Sequence, residues 1–368
     1  MAEPVVLFET RRAADGRRVA FATLNAAPSL NALSLEMAER LLTQLREWRD
    51  DPAIACVVLQ GAGDKAFCSG GDIVALYDWL THEDFDAVER YFVREYTLDY
   101  YLHCFPKPVL CWGHGIVMGG GLGLMVASSH RVVTASSRVA TPEVTIGFYP
   151  DVGASWFLPR MPGRIGLYVG LTGTHLNAAD ALFTSLADFF VPDSERQQVF
   201  EQLSAISWSD SARANHHELS QCLRAYRGKH AVPASNLRSH FDLIDDITDH
   251  DSVEEILQAL AARAESETWL KRAAQTLHAG SPTSAEVIFE TYRRAPRLSL
   301  KETFALELGV TMQFARHPDF REGIRARLID KDNRPRWSPP TLAEVSEAYV
   351  EEHFASSWPP DRHPFRHW

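Results

Sequence analysis

Two glycine-rich turns and a pair of carboxylates are the residues here whose types and spacing could do chemistry. The first turn lies in "DKAFCSGGDI", where Gly70 and Gly71 stand between a strand and a helical run. About fifty residues on, "CWGHGIVMGGGLGLMVASS" holds six glycines in nineteen residues and no carboxylate, lysine or arginine. Glycines of this kind let the main chain approach a ligand, with free N–H groups at a helix start aimed at developing negative charge. Such a site needs a second N–H donor from elsewhere, and the two turns share their context. Other readings compete. Residues 109–129 could just cross a bilayer at 1.5 Å per residue, but each helical glycine costs roughly 1 kcal/mol and no second apolar span exists. A dinucleotide loop lacks its third glycine, where Val126 stands, and no Lys-Ser/Thr pair completes a Walker loop. A tight structural turn without chemistry stays open.

The carboxylates lie in "RVATPEVTIGFYPD". Glu143 follows Pro142 in a mostly apolar run, which predicts partial burial and a raised pKa suited to proton transfer. Asp151, eight residues on, is placed to raise the proton affinity of Glu143 or to hold a substrate hydroxyl; its plain alternative is an Asx-turn after Pro150. Other residues fail a chemical role. Ser69 is no nucleophile elbow, because Phe67 stands where GxSxG needs glycine. Cys68 has no histidine placed by any motif and reads as packing. His114 reads as a packed strand end. His216, His217, His363 and His367 form no HExxH, and no metal site is indicated.

The elements that must position these groups alternate. "VVLFETRRAADGRRVAFATLN" is a hairpin about Asp15-Gly16. A helix follows, with Ser34 as cap and Ala38, Leu41, Leu45 and Trp48 on one face. "AIACVVLQG" is a buried strand, and "KPVLCWGHGIV" and "RVVTAS" repeat the strand–loop–helix order. The class is therefore α/β. Beyond about residue 200 the segments turn helical, which predicts a core over residues 1–200 and a helical C-terminal region over 201–368.

A formal net charge of −11, with no long basic block, argues against a general nucleic-acid or anionic-membrane surface. Five cysteines, an odd number without a CxxC pair, point to a reducing setting. The N-terminal residues show no apolar signal core, so the expected location is cytoplasmic.

In order and spacing, "LNALSLEM", "AFCSGGDI", "HGIVMGGGLGL" and "ATPEVTIGFYPDVGASWFLPR" resemble the crotonase (enoyl-CoA hydratase/isomerase) superfamily, over roughly residues 5–355. The resemblance implies a crotonase-type spiral of ββα units, with the N–H groups of Gly71 and Gly120 forming an oxyanion hole for a coenzyme A thioester. "SPTS", "DFREGIRARLIDKDNRPRW" and "VEEHF" are similar to the 3-hydroxyisobutyryl-CoA hydrolase branch. Glu143 matches one of the two catalytic glutamates of the hydratases, but the other is replaced by Gly123. Asp151, usually glycine in hydratases, and Glu95 match the hydrolase branch, Glu95 as a substrate contact. On residue type alone Glu95 suits an ordinary solvated helix face.

What the resemblance implies is a thioester hydrolase converting 3-hydroxyisobutyryl-CoA, an intermediate of valine degradation, to 3-hydroxyisobutyrate and CoA. Catalysis would use Glu143 and Asp151; Glu95, Gly120, Glu143 and Asp151 would contact the substrate. No cofactor is expected, because coenzyme A is part of the substrate. The alternatives are an enoyl-CoA hydratase/isomerase and a non-catalytic acyl-CoA-binding protein. The expected partner is an acyl-CoA, with no nucleic acid and no membrane, and a homo-oligomer is compatible with related folds. Lys331, Arg334 and Arg336 are basic candidates for the 3′-phosphate of coenzyme A, or else a solvated loop.

Overall fold

The apolar runs on either side of Asp15-Gly16 close into the expected hairpin in a computed structural model that describes residues 3–368. Strand β1 (Val6–Arg12) pairs antiparallel with β2 (Arg18–Leu24), Val6 opposite Leu24. There follow β3 (Ile54–Gly61), β4 (Ala66–Cys68), β5 (Val109–Gly113), β6 (Ile116–Met118), β7 (His130–Val133), β8 (Arg138–Ala140) and β9 (Phe189–Phe190). They form a six-stranded sheet in the order β1-β2-β3-β5-β7-β9 and a three-stranded sheet β4-β6-β8. Each pair β3/β4, β5/β6 and β7/β8 thus gives its first strand to one sheet and its second to the other. The helices between are α1 (Leu35–Asp50), α2 (Ile73–Thr81), α3 (Phe85–His103) and α4 (Gly120–Ala127). This is the winding that a spiral of ββα units requires.

Ser34 caps α1 by accepting the Met37 N–H, and the helix buries Met37, Ala38, Leu41, Leu42, Leu45 and Trp48. That stripe is the one the spacing predicts. Strand β3 is apolar along nearly all its length because both its faces are covered. The candidate membrane span is instead β5, β6 and α4 in succession. Among the described residues no helix is long and apolar enough to cross a membrane.

Packing divides the described residues into two compact units, each built from three stretches. The first comprises the residues up to Gly71, Thr97–Val139 and Leu176–Arg238; the second comprises Asp72–Tyr96, Ala140–His175 and Ser239–Trp368. Each unit draws residues from both sides of position 200. Helices Arg196–Ala205 and Ala212–Arg224 bury Val199, Phe200, Leu203, Leu219 and Leu223 in one core with Phe21, Val58, Leu110 and Trp112 of the sheet. Apolar burial, not helical character, decides which core they join.

In the second unit helix Leu300–Arg316 begins with a reciprocal capping box between Ser299 and Glu302. Among its buried positions are three pairs one turn apart, Thr303 and Phe304, Glu307 and Leu308, Thr311 and Met312. Three of those six are polar, and they matter below.

Candidate active site

The glycine turns belong to the first unit. Strands β4 and β6 run parallel, Ala66 opposite Ile116 and Cys68 opposite Val117, so the chain leaves both at the same edge. A Cβ added at Gly70 would lie 3.8 Å from the Gly120 nitrogen. One added at Gly121 would fall 2.4 Å from the Cys68 carbonyl oxygen, a distance that only glycine permits. Gly119, at φ 48, caps α4, and Gly120 is its first residue. An N–H at that position has no acceptor within its own helix. Gly71 bridges to Leu33, whose N–H donates to the Gly70 carbonyl at 2.8 Å. Asn31, fully buried at φ 56, donates to the Ala62 and Ala66 carbonyls at 3.0 and 2.9 Å and accepts the Ala26 N–H. A side chain thus fixes the base of the first turn.

Gly123 is buried on α4, where its N–H continues the helix to the Gly119 carbonyl. Cys68 is fully buried, with its sulfur 3.6 Å from the Gly70 carbonyl, and is a packing residue. His114 is buried between β5 and β6, with Nε2 3.0 Å from the Gly63 carbonyl, as its strand-end reading predicts.

Glu95, Glu143 and Asp151 all lie in the second unit and are only 2%, 6% and 5% exposed. Glu95 is therefore not on a solvated face. Glu143 opens the 3-10 turn Glu143–Ile146, which ends at Gly147 in a left-handed conformation, φ 68. A Cβ there would meet the Asp319 carbonyl at 2.1 Å, so the turn packs backbone to backbone against helix Pro318–Ile324. Asp319 is held in turn by the Ser281 hydroxyl at 2.5 Å and the Ser338 N–H at 2.8 Å. Among the described residues Glu143 Oε2 has no hydrogen-bond partner, although it is buried.

Asp151 is differently placed. The Tyr96 phenol donates to its Oδ2 at 2.6 Å and lies 2.7 Å from the Thr311 hydroxyl. Thr311 also lies 3.1 Å from the Tyr149 hydroxyl, which donates to the Glu307 carbonyl at 2.7 Å. The Glu307 carboxyl, fully buried, accepts the Gly153 N–H at 2.8 Å and the Ser155 N–H at 2.9 Å. No ion pair reaches these four carboxyls among the described residues.

Burial without a cation favours the neutral acid. It raises Glu143 well above the usual carboxylate range, with Asp151 adding to the effect, and it raises Glu95 the same way against a hydrogen bond from Tyr91. Asp151 is pushed up to about 7 by burial, with the Tyr96 hydrogen bond opposing. Glu307 is pushed up to about 8 by burial and by Asp151, with its two backbone N–H partners opposing. Such an array can take up and return protons near neutral pH.

Tyr96, Tyr149, Glu307 and Thr311 escaped the reading of motifs. Their signal was present: "LELGVTM" places Glu307 and Thr311 four apart in an apolar helix stripe, where a polar residue needs an internal partner. Lys331, Arg334 and Arg336 lie apart from these carboxyls in sequence. Arg334 and Arg336 line a cavity that also holds Glu322, Asp330 and Asp332, with Arg325 bonded to all three carboxylates. The cluster is mixed in sign, not simply basic.

A family model described as enoyl-CoA hydratase/isomerase matches residues 19–354. The chain is 36% identical over 343 residues to 3-hydroxyisobutyryl-CoA hydrolase-like protein 1, mitochondrial, of Arabidopsis thaliana, covering 92% of this chain and 84% of that protein. It is 34% identical over 337 residues to 3-hydroxyisobutyryl-CoA hydrolase, mitochondrial, of Homo sapiens, covering 91% and 85%. Among solved structures, a carnitinyl-CoA dehydratase from Mycobacterium thermoresistibile superposes with a TM-score of 0.87 at 34% identity, covering 99% of both chains. An enoyl-CoA hydratase from Rhodobacter sphaeroides 2.4.1 gives 0.83 at 32%, covering 96% and 98%. The mitochondrial names of these relatives give the cytoplasmic expectation no support. With its ββα winding, paired glycine turns and a match along nearly its whole length, the chain belongs to the enoyl-CoA hydratase/isomerase family.

Proposed function

We propose that this protein is an acyl-CoA thioester hydrolase that acts on 3-hydroxyisobutyryl-CoA. The observation that carries the reading is the pair of buried carboxyls, Glu143 and Asp151, on a chain with Gly123 where hydratases of this family carry a second glutamate. Curated relatives at 34–36% identity named as hydrolases of this thioester support the substrate. The superposing structures are named as a dehydratase and a hydratase, and they support the fold but not the site chemistry.

In this reading the N–H groups of Gly71 and Gly120 receive the thioester oxygen as it becomes an oxyanion. Ionised Glu143 supplies the base that takes a proton from water, or attacks the carbonyl itself to form a transient anhydride. Its Oε2, which no group among the described residues satisfies, fits a carboxylate whose partner is water or substrate. On the water route the hydroxyl adds to the carbonyl, the C–S bond breaks, and the departing thiolate takes the proton that Glu143 received from water; on the anhydride route the C–S bond breaks as the anhydride forms, Asp151 gives the thiolate its proton, and water then opens the anhydride to free Glu143. Asp151 also suits the hydroxyl of a 3-hydroxyacyl group, and Glu95 completes the contacts. The products are 3-hydroxyisobutyrate and CoA, and no cofactor is needed.

The test is thiol release across short acyl-CoAs, run beside hydration of crotonyl-CoA. Free CoA from 3-hydroxyisobutyryl-CoA, with crotonyl-CoA left unhydrated, supports the hydrolase. Hydration without thiol release would replace it by the hydratase reading.

A further inference from the structure

We propose that Glu307 and Thr311, one turn apart on helix Leu300–Arg316, are positioning residues that hold Asp151 in its working place from two sides. The inference rests on the hydrolase reading insofar as Asp151 acts on the thioester. Glu307 works through the backbone. After Asp151 the chain makes two consecutive left-handed residues, Val152 at φ 52 and Gly153 at φ 87. A β-branched residue at positive φ is strained and persists only where its surroundings impose it. The Glu307 carboxyl imposes it, with one oxygen on the Gly153 N–H and the other on the Ser155 N–H. Both donors follow Asp151, Gly153 inside the turn that the Ala154 N–H closes onto the Asp151 carbonyl at 2.8 Å and Ser155 just past it.

Thr311 works through the side chain. Tyr149 spends its hydrogen on the Glu307 carbonyl and Tyr96 spends its own on Asp151. The one hydrogen of the Thr311 hydroxyl therefore goes to a phenol oxygen of this pair. Given to Tyr96, it fixes the phenol and strengthens its bond to Asp151. The same helix turn thus fixes both the backbone and the carboxyl of one residue.

Glu307→Gln offers one acceptor oxygen and an amide that donates, so it cannot receive both N–H groups. In the full-length enzyme it should lower kcat by about ten- to a hundredfold, as misplacement of a reacting group does, with KM within about twofold. Thr311→Val should raise the titration midpoint of Asp151, followed by 13C NMR of labelled aspartate, by about half a unit, and Thr311→Ser should restore it. Glu95, Glu143, Glu307, Tyr96 and Tyr149 face Asp151 and are unchanged in the Thr311 variants. Wild-type kcat in a folded Glu307→Gln, together with an unmoved Asp151 midpoint in Thr311→Val, overturns the proposal. If Glu307→Gln does not fold, the Thr311 pair decides alone. A wild-type enzyme that releases no CoA refutes the hydrolase, whereas the NMR titration still decides the positioning.

Discussion

Tyr96 donates to Asp151 across 2.6 Å from the residue that directly follows Glu95 on α3. One helix therefore supplies a buried acid and, beside it, the donor that steadies a second buried acid. The donor favours ionised Asp151, while burial opposes it more strongly and leaves the group at about 7.

A pH dependence of turnover follows. On the proposed chemistry Glu143 must be ionised by either route, and its proton is held well above the usual carboxylate range. The acid limb of kcat/KM is therefore expected well above the ordinary value of 4.5, rate falling as pH drops and the carboxyls protonate. Rate profiles over a range of buffers check this. A limb at ordinary carboxylate pH would mean that the reacting carboxylate is solvated.

Stability moves the other way. The folded form of Asp151 and Glu307 holds protons that the unfolded chain releases near 3.8 and 4.5. Their contribution is complete below those values and is lost as pH rises toward about 7 and about 8. Half-buried His103 and buried His130 and His353, lowered from 6.5 to about 4, act oppositely below 6.5. The clean window is thus from 6.5 to about 8, where Tm should fall with rising pH. Asp151→Asn should flatten that slope in scanning calorimetry.

Glu143→Gln keeps the size of the side chain and removes the proposed base. Turnover should fall by about a hundred- to ten-thousandfold, with binding of a non-hydrolysable acyl-CoA analogue retained by calorimetry. An unchanged activity would remove Glu143 from the chemistry and return the passive binding protein as the better reading.

Gly121→Ala tests the join between the glycine turns. Its Cβ would press on the Cys68 carbonyl at 2.4 Å, a backbone atom that cannot swing aside. The expected cost is about 1–3 kcal/mol of stability, read by denaturant melts, with turnover reduced in the molecules that stay folded. A fully active, equally stable variant would show that the turns need no such close approach.

The sequence made some of this legible and hid the rest for physical reasons. The hairpin, the Ser34 cap and the β3 run are local, set by turn residues and by apolar period, and the structure has them where the spacing predicts. The glycine clusters could be paired in advance because each sits between a strand and a helix. Burial of Glu95 could not, because its neighbours in "VREYTL" suit a solvated face as well as a covered one. Glu307 lies 156 positions beyond Asp151, and such pairing is created by folding, not by spacing. The helices Arg196–Ala205 and Ala212–Arg224 join the core of the sheet for the same reason: helical composition is local, while membership of a core is not.

Strands β4 and β6 are bonded side by side and release the chain at one edge. The gap between the two turns is consequently a main-chain dimension, of the order of the 4.8 Å strand spacing. Substitution of side chains that do not enter the join between the turns leaves that dimension alone. On the proposed chemistry, a glutamate in place of Gly123 or a glycine in place of Asp151 would change the reaction, while two peptide nitrogens at that fixed interval would still meet the same carbonyl oxygen.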